Sequence, residues 1–491
     1  MIPIIAPIIV YLFAAFTSPF VALVNKRLRS IYIALAALVS LGIVVSWYDA
    51  ATAGASVYWL GAWVPTYTIY GITLVLDGLS WFFAFIISFL AFLVAVYSYS
   101  YVEKDKNLAQ YYFLFPLLCA GMTGIVLTGD LFNMFVFLEI SAISSIGLVA
   151  FRRDKKALSS AFNYLMLGAI ATAMILVSIM LLYGETGTLN MAQVAEKMND
   201  SLVTQVALAL FIAGFAIESA MVPVHNWLPD AHSGAPSSIS AMLSGVIVKM
   251  GLYGLLRLLF TVYIITGTSG LLLSLGLASM FAGGVLALLQ NDFKRMLAYS
   301  TISQLGYVVM GIGLGTTAGL VGGLFHLANH AVFKGLLFLT AGAVLKQTGI
   351  RDLNRLGGLA KNMPLTTIAF AVGAMAISGV PPFNGFASKW ILYNASFEIS
   401  PLLTVVALFV SGITLAYFLK AFHGAFLGNP RPELKEVKEV PLSMTLPMLF
   451  LALLCIVMGL FPDYFIDTFI TPMASALADP SAYYNAVMVT P

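Results

Sequence analysis

The sequence predicts an all-α polytopic membrane protein with about fourteen transmembrane helices. Hydrophobic residues make up 60% of the 491 residues and charged residues only 9%, a balance typical of membrane proteins. Apolar runs of about 20 residues recur from one end of the chain to the other. Each run is long enough to cross a hydrocarbon core of about 30 Å as a helix. A single-pass anchor is therefore excluded.

The apolar runs define the helices in order. The first run has no basic residue before it and no small-residue cleavage site after it, so we expect a retained helix rather than a signal peptide. The predicted spans are 2–24, 31–48, 71–98, 109–128, 130–150, 158–183, 203–225, 237–262, 268–290, 296–314, 317–345, 365–395, 401–427 and 440–462.

Lysine and arginine are concentrated in alternate loops. Most of the 24 basic residues lie in the loops 25–30, 103–106, 151–156, 294–295, 346–361 and 420–438. The opposite loops hold Lys197, with Arg257 near a helix end, and are otherwise mostly acidic, as at Glu185 and Asp200. Because short basic loops stay in the cytoplasm, both termini are predicted to lie outside a prokaryotic plasma membrane.

Five charged residues fall well inside apolar spans. They are Glu139, Glu218, Lys249, Lys334 and Lys389. A charge at the bilayer centre costs about 2.5 to 3.5 kcal/mol on insertion scales unless it is paired or hydrated. Carboxylates and amines together suit a proton relay, because burial and neighbouring charges bring their protonation equilibria closer. We therefore expect proton translocation. The alternative is a set of static ion pairs that hold helices together.

Span eleven carries three ionisable residues on one helix face. His326, His330 and Lys334 follow one another at intervals of four residues. Histidine accepts a proton near physiological pH, so this stripe is expected to extend the relay. Structural hydrogen bonding is the alternative. Haem ligation is disfavoured because the other nearby histidines, His225 and His232, lie by a helix break, and catalytic zinc is disfavoured because the spacing lacks the glutamate of a HExxH motif.

No cofactor or metal site is predicted on this chain. Its two cysteines, Cys119 and Cys455, lie inside apolar runs, whereas an iron–sulfur cluster needs about four thiolate ligands. The sequence has no Walker A motif, no serine-nucleophile elbow and no basic, aromatic-rich segment for nucleic acid. We therefore expect no catalytic redox centre here and no nucleic-acid partner.

Prolines interrupt two spans close to buried charges. Pro223 and Pro229 interrupt span seven, and Pro381 and Pro382 interrupt span twelve. Proline removes a backbone donor and breaks the helix, and the freed carbonyl groups at membrane depth mark ion sites in transporters. A proline kink without a functional role is the alternative for either break.

The two breaks lie five spans apart, which suggests an internal repeat. Spans four to eight form one unit and spans nine to thirteen the other, and an odd number of spans places the second copy upside down. The predicted organisation is helices 1–3 in 1–108, the first five-helix repeat in 109–262, the second in 268–427, and helix 14 with a short tail in 440–491.

Five motifs resemble those of the antiporter-like subunits shared by respiratory complex I, Mrp-type Na⁺/H⁺ antiporters and membrane-bound hydrogenases. They begin at Asp77, Asp130, Val222, Phe293 and Gly379 and occur in the family's order. The resemblance covers most of the chain. It implies a fourteen-helix fold with two inverted five-helix repeats and broken helices 7 and 12.

The same resemblance implies roles for three of the buried charges. Glu139 corresponds to the carboxylate of helix five, Lys249 to the central lysine, and Lys389 to the charge of the broken helix near the outer exit. One position departs from the family's pattern, because helix seven carries Glu218 where a lysine is common. We therefore expect Glu139 or Glu218 to couple to Lys249 instead.

The resemblance also implies partners. The expected function is that of a proton-translocating subunit of a larger respiratory or antiporter complex, with Na⁺/H⁺ exchange as an alternative. Other membrane subunits are the expected partners, joined in a redox-driven complex by soluble iron–sulfur or nickel–iron subunits. The chain lacks the long lateral helix of the largest complex I member, so it resembles the shorter type. A non-conducting scaffold and a self-sufficient cation/proton antiporter are the further alternatives.

Overall fold

The structure, a computed structural model, describes residues 2–60, 71–103, 105–265, 269–427 and 431–488. Its helices in the first half are α1 (Ala6–Val24), α2 (Lys26–Val45), α3 (Tyr48–Thr52), α4 (Gly78–Tyr101), α5 (Leu108–Leu127), α6 (Leu131–Val149), α7 (Lys155–Thr186), α8 (Met191–Lys197), α9 (Leu202–Glu218), α10 (Trp227–Gly234), α11 (Ser237–Met242) and α12 (Val248–Arg257).

The second half of the described chain is likewise helical. Its helices are α13 (Gly270–Leu289), α14 (Phe293–Gly313), α15 (Thr317–Thr348), α16 (Pro364–Ser378), α17 (Asn384–Ile399), α18 (Pro401–Phe422), α19 (Leu442–Leu460), α20 (Pro462–Phe465), α21 (Thr471–Ala478) and α22 (Ser481–Met488). A π-helical turn, Leu243–Ile247, joins α11 to α12, and others follow α12, α18 and α20 at Leu258–Val262, His423–Leu427 and Ile466–Ile470.

The described residues contain 11 helices that are long and apolar enough to cross a membrane. This result confirms the predicted polytopic helical fold. The interrupted segments α9–α10 and α16–α17 are too short in each piece to be counted among them, since α9 has 17 residues and α16 has 15. Each predicted span nevertheless overlaps at least one helix of the structure.

The third predicted span begins too early. Residues 73–76 form a strand, β2 (Thr73–Leu76), which pairs antiparallel with β1 (Ser56–Trp59). The helix starts only at Gly78, because the Asp77 side chain accepts from the Ser80 N–H and the Ser80 hydroxyl accepts from the Asp77 N–H. This capping box fixes the boundary that apolar composition alone placed at residue 71.

One pattern of backbone hydrogen bonds occurs twice. In each copy, residues at the start of one helix bond to the segment that follows the next helix. Corresponding residues of the two copies are always the same number of positions apart in the sequence. Leu131 donates to Leu189 and Met191 to Gly129, as Phe293 donates to Arg351 and Leu353 to Asn291, all at 2.9 Å. Both α7 and α15 have 32 residues, and each ends at a left-handed glycine, Gly187 and Gly349.

The core of the molecule is built around two helical segments. The apolar windows of Ser237–Val262 and of α15 are completely buried, whereas α1 and α18 bury only a third of theirs. The outer helices expose large apolar side chains, including Phe20, Leu402 and Phe409, as expected for surfaces that face lipid or neighbouring subunits. The buried segments carry most of the ionisable residues that the sequence singled out.

Candidate functional site

Six of the seven predicted relay residues are buried in the protein. Lys249, His326, His330, Lys334 and Lys389 are each at most 1% exposed, and Glu218 is 9% exposed. Glu139 is only half-buried. Placing charges in such an environment is expensive, so the partners of each group decide what it can do.

Lys249 is held by its own helix segment. Its Nζ donates to the carbonyl oxygens of Ser244 and Gly245, at 3.0 and 2.6 Å. Both acceptors belong to the π-helical turn Leu243–Ile247, which interrupts the regular pattern of α-helical bonding just before α12. π-Helical turns of this kind are frequent at functional sites. The ammonium group is thus solvated by backbone dipoles and not by a carboxylate of the described residues.

Lys334 has a similar environment on α15. Its Nζ donates to the Leu297 carbonyl at 2.7 Å and to the Ser300 hydroxyl, both on α14. It also lies 5.8 Å from the centre of the Phe338 ring. Lys249 is close enough to act on it electrostatically. The two ammonium groups are therefore neighbours in the row, although they come from different helices.

The two histidines of α15 differ in their contacts. His326 contacts the Ser388 hydroxyl through Nδ1 at 2.9 Å and the Gln304 side-chain carbonyl through Nε2 at 3.0 Å. Neither ring nitrogen of His330 has a hydrogen-bond partner among the residues that the structure describes. His330 lies within electrostatic range of Lys249, Lys334 and His326. It therefore lies near both lysines with two ring nitrogens that make no hydrogen bond to the described residues.

Lys389 lies at the break between α16 and α17. Its Nζ donates to the Ile377 carbonyl, in the last turn of α16, at 2.9 Å and to the Ser411 hydroxyl at 3.0 Å. The last carbonyl groups of a helix carry partial negative charge, which favours a cation there. The ammonium group also lies 4.9 Å above the Tyr307 ring. His326 is within its electrostatic range.

The two carboxylates form a separate pair. Glu218, the last residue of α9, has a buried Oε1 without a hydrogen-bond partner in the described chain, and Glu139 acts on it electrostatically. Gly251 lets α9 approach α12 here, since a Cβ at Gly251 would come within 2.7 Å of the Glu218 Cβ. Across the described residues, Lys249 makes no ion pair with either carboxylate. The expected coupling of Glu139 or Glu218 to Lys249 stays a prediction, and it does not rest on a direct contact between the described residues.

Static ion pairs do not account for the row. In the described parts of the chain, salt bridges within 4.0 Å join Arg27 to Glu103, Arg152 to Asp105, Lys156 to Asp292, Arg257 to Asp77, and Arg295 to Asp230. None of these pairs includes a predicted relay residue. The buried lysines are held instead by carbonyl and hydroxyl oxygens, which leaves their charge uncompensated.

The four prolines do not all lie in the breaks. Pro223, Pro381 and Pro382 lie between helices, and Val222–Pro223 and Pro381–Pro382 are cis peptide bonds. Pro229 lies inside α10. Its position in the first turn of that short helix needs no backbone N–H, which explains why the helix continues through it.

In both breaks a side chain donates a hydrogen bond to the end of the helix that precedes the break. In the first break the Trp227 indole N–H donates to the Ile217 carbonyl at 2.8 Å. In the second break Lys389 donates to the Ile377 carbonyl at 2.9 Å. Both acceptors lie in the last turn of the helix before the break. In the first break a neutral indole group therefore makes the kind of contact that the Lys389 ammonium group makes in the second.

Two buried cations were missed at the level of sequence. Arg257, assigned to a helix end, is 1% exposed and its Nη2 donates to Asp77 Oδ1 at 2.5 Å. Lys294, assigned to a cytoplasmic loop, is 1% exposed and donates to the Ala235 carbonyl at 2.6 Å. The apolar residues Leu255 to Val262 around Arg257 were a usable signal. For Lys294 the neighbouring Arg295 made the pair look like an ordinary loop.

The polar residues that connect the row were also not predicted. Gln304 and Ser388 bracket His326, while Ser411 contacts Lys389, Tyr307 and Tyr393. These contacts join α14, α15, α17 and α18. Isolated hydroxyl and amide groups occur in many membrane helices, so nothing in the sequence distinguishes the ones that lie beside a buried charge.

This fold defines a polytopic helical membrane protein with a row of ionisable groups enclosed by its central helices. The chain belongs to the family described as "NADH:quinone oxidoreductase/Mrp antiporter, TM", which matches residues 128–414. Residues 63–112 match the family described as "NADH-Ubiquinone oxidoreductase (complex I), chain 5 N-terminus". The resemblance indicated by the sequence motifs is confirmed.

Individual relatives come from different complexes. The chain is 36% identical to an NADH-quinone oxidoreductase subunit of Desulforudis audaxviator, over 84% of this chain and 86% of the relative. It is 32% identical to a Na⁺/H⁺ antiporter subunit of Alkalihalophilus pseudofirmus, over 95% and 92%. A chain of the archaeal membrane-bound sulfane sulfur reductase superposes with a TM-score of 0.90 at 32% identity, covering 99% of each chain.

Proposed function

We propose that this protein is a proton-translocating membrane subunit of a multisubunit respiratory or antiporter complex. The observation that carries the proposal is the row Lys249, His330, Lys334, His326 and Lys389, buried and without ion pairs to the described residues. Neighbouring members act on one another electrostatically, so a change in the charge of one group favours or disfavours protonation of the next. Such a row passes a proton without a resident cofactor.

The assembly follows from the relatives. They are named as subunits of a quinone oxidoreductase and of a Na⁺/H⁺ antiporter, and one solved relative is part of a respiratory membrane complex. We infer that this chain also functions beside other membrane subunits in a prokaryotic plasma membrane. In a redox-driven complex soluble iron–sulfur or nickel–iron subunits supply the driving force, and in an antiporter a Na⁺ gradient does so.

The proposed architecture has fourteen spans, two inverted five-helix repeats and both termini outside. It is supported by the duplicated backbone hydrogen bonds at Leu131 and Phe293, by the equal lengths of α7 and α15, and by the two breaks. Five crossings per repeat reverse its direction in the bilayer. Under this arrangement Lys389 lies on the outer part of the row.

The proposal predicts that Lys249→Met abolishes proton translocation by the intact complex, with at least a tenfold loss, because the ammonium group at the start of the row is removed. Lys420→Met is the matched control. Lys420 also donates to two backbone carbonyl groups, those of Leu288 and Gln290, but lies outside the row. The measurement is proton movement in proteoliposomes, with subunit content checked. Full activity of Lys249→Met would overturn the proposed relay.

A non-conducting scaffold is the second candidate, and one observation favours it. Glu218 replaces the lysine common in helix seven, and within the described chain neither it nor Glu139 forms a direct contact with Lys249. The same experiment separates the candidates, because a scaffold tolerates Lys249→Met as well as Lys420→Met. A self-sufficient antiporter requires transport by the purified chain alone in liposomes.

A further inference from the structure

A polar cavity lies outside the row, where α7, α10 and α14 meet. Its volume is about 440 Å³, and it is lined by Lys155, Lys156, Ser159, Ser160, Asn163, Asp230, Ser233 and Arg295. The cavity lies at the first turns of α7 and α14, beside the basic loop 151–156. It is therefore at an end of the helices, near the depth of the lipid headgroups.

The cavity is cationic. The carboxylate in its lining, Asp230, is already engaged by Arg295 Nη1 at 2.7 Å and by Asn163 Nδ2 at 3.2 Å. Lys155 and Lys156 are exposed, and Lys156 has a 3.9 Å contact with Asp292. An anion would meet the ammonium groups of Lys155 and Lys156, of which only Lys156 has a carboxylate within 4.0 Å among the described residues.

An unsatisfied donor also lines the cavity. Ser233 is 2% exposed, and its Oγ has no hydrogen-bond partner in the part of the chain that the structure describes. Its carbonyl oxygen is bound by Arg351 Nη1 at 2.6 Å. A buried hydroxyl group without a partner costs free energy, so its presence beside a cationic cavity points to an acceptor that completes the site. Phosphate oxygens accept from hydroxyl, ammonium and guanidinium groups alike.

An apolar surface continues from the cavity along α7. Leu158, Phe162, Met166 and Ile170 follow at intervals of four residues and are 51%, 60%, 50% and 45% exposed. They lie next to the cavity residues Ser159 and Asn163 and extend away from the basic end of the helix. These exposed apolar side chains form a stripe that can pack against the acyl chain of a lipid. A free phosphate ion has no acyl chain and would not use this surface.

We propose that this cavity binds the phosphate group of an anionic phospholipid, whose acyl chains lie along the apolar stripe of α7. Lys155 and Lys156 supply the charge, and Ser233 donates a hydrogen bond. Basic cavities between membrane helices on the side of the basic loops bind anionic lipid headgroups in this way. The site is separate from the row of ionisable groups, so it does not depend on the proposed proton translocation.

The test is the binding of phosphatidylglycerol to the intact complex in phosphatidylcholine nanodiscs, counted by native mass spectrometry. Lys155→Gln with Lys156→Gln is expected to weaken binding about twenty-five-fold, because each basic residue near the surface contributes a factor of about five. Lys435→Gln with Lys438→Gln is the matched control, since both lysines are exposed and lie in another basic loop. Equal binding by the two double variants overturns the proposal.

A second measurement identifies the source of the phosphate group. Phe162→Asn is expected to weaken phosphatidylglycerol binding at least threefold, because it removes part of the acyl-chain surface while leaving the cationic cavity unchanged. Inorganic phosphate at about 10 mM is expected not to displace the lipid, because it offers the charge of the headgroup without the acyl chains. Displacement by inorganic phosphate, or an unchanged affinity of Phe162→Asn, overturns the assignment to a phospholipid.

Discussion

His326 and His330 lie one helical turn apart on α15 and differ in their hydrogen-bond partners. The ring of His326 joins Gln304 on α14 to Ser388 on α17, at 3.0 and 2.9 Å. The ring of His330 is fully buried, yet neither nitrogen has a hydrogen-bond partner among the described residues. Apart from an edge contact with the Phe333 ring, the His330 ring has no hydrogen bond there that stabilises the fold, which is consistent with its proposed role in the relay.

This difference predicts that replacing each histidine affects thermal stability and proton transport differently. His330→Leu is expected to leave thermal stability unchanged or raised, because it removes unsatisfied nitrogens, while proton translocation falls at least tenfold. His326→Leu is expected to lower stability by about 1 to 3 kcal/mol, because Gln304 and Ser388 lose their partner. Thermal unfolding and proton movement of the two purified variants provide the check. A strongly destabilised His330→Leu would show that its ring has a structural role.

At the scale of elements, the break between α16 and α17 positions a charge. Gly379 ends α16 with φ of 80°, and a Cβ there would lie 3.0 Å from the Lys389 Cδ. Gly349 ends α15 with φ of 69°, but a Cβ there would meet no described atom within 4 Å. The two glycines therefore share a backbone conformation and differ in what surrounds them.

Gly379→Ala and Gly349→Ala are predicted to have similar effects on stability and different effects on transport. Each introduces a left-handed alanine, at a cost of about 1 to 2 kcal/mol. Only the alanine at position 379 displaces Lys389 from the Ile377 carbonyl, so only that variant is expected to lose transport severalfold. Proton translocation is compared at equal amounts of folded complex. Equal loss in both variants would mean that the effect is backbone strain alone.

The sequence predicted the positions of the helices and their breaks, but not the contacts between side chains on different helices. Runs of apolar residues located the helices, and prolines near Glu218 and Lys389 located the breaks, because both signals are local in the chain. The partners of the buried charges are not local. Lys334 donates to Leu297 and Lys389 to Ser411, and only the packing of separate helices brings these groups together.

Counting the basic residues of each loop cannot show which of two adjacent charged side chains is buried. Lys294 and Arg295 are adjacent, yet Lys294 is buried against the Ala235 carbonyl while Arg295 reaches Asp230 near the surface. Both extend from the first turn of α14 in different directions. A loop assignment based on composition cannot distinguish the buried side chain from the surface one. The Arg257–Asp77 ion pair was missed for the same reason.

At the scale of the whole molecule, α6 presents a carboxylate on an apolar outer face. Phe132, Val136 and Ile143 are 45%, 37% and 61% exposed, and Glu139 lies half-buried on the same side of the helix. A carboxylate facing hydrocarbon carries an insertion cost of a few kcal/mol. A neighbouring membrane subunit that covers this face and offers Glu139 a polar or cationic group removes that cost.

This arrangement predicts that the face of α6 is an interface in the assembled complex. A photoreactive amino acid at Val136 or Ile143 is expected to form an adduct with one specific membrane subunit, and the adduct is expected to disappear when the complex is dissociated before irradiation. Glu139→Gln is expected to abolish coupled pumping while the adduct at Ile143 persists, because the amide keeps the shape of the side chain but not its charge. Adducts with lipid alone at both positions would place Glu139 at an open membrane surface, and full pumping by Glu139→Gln would show that coupling does not need its charge.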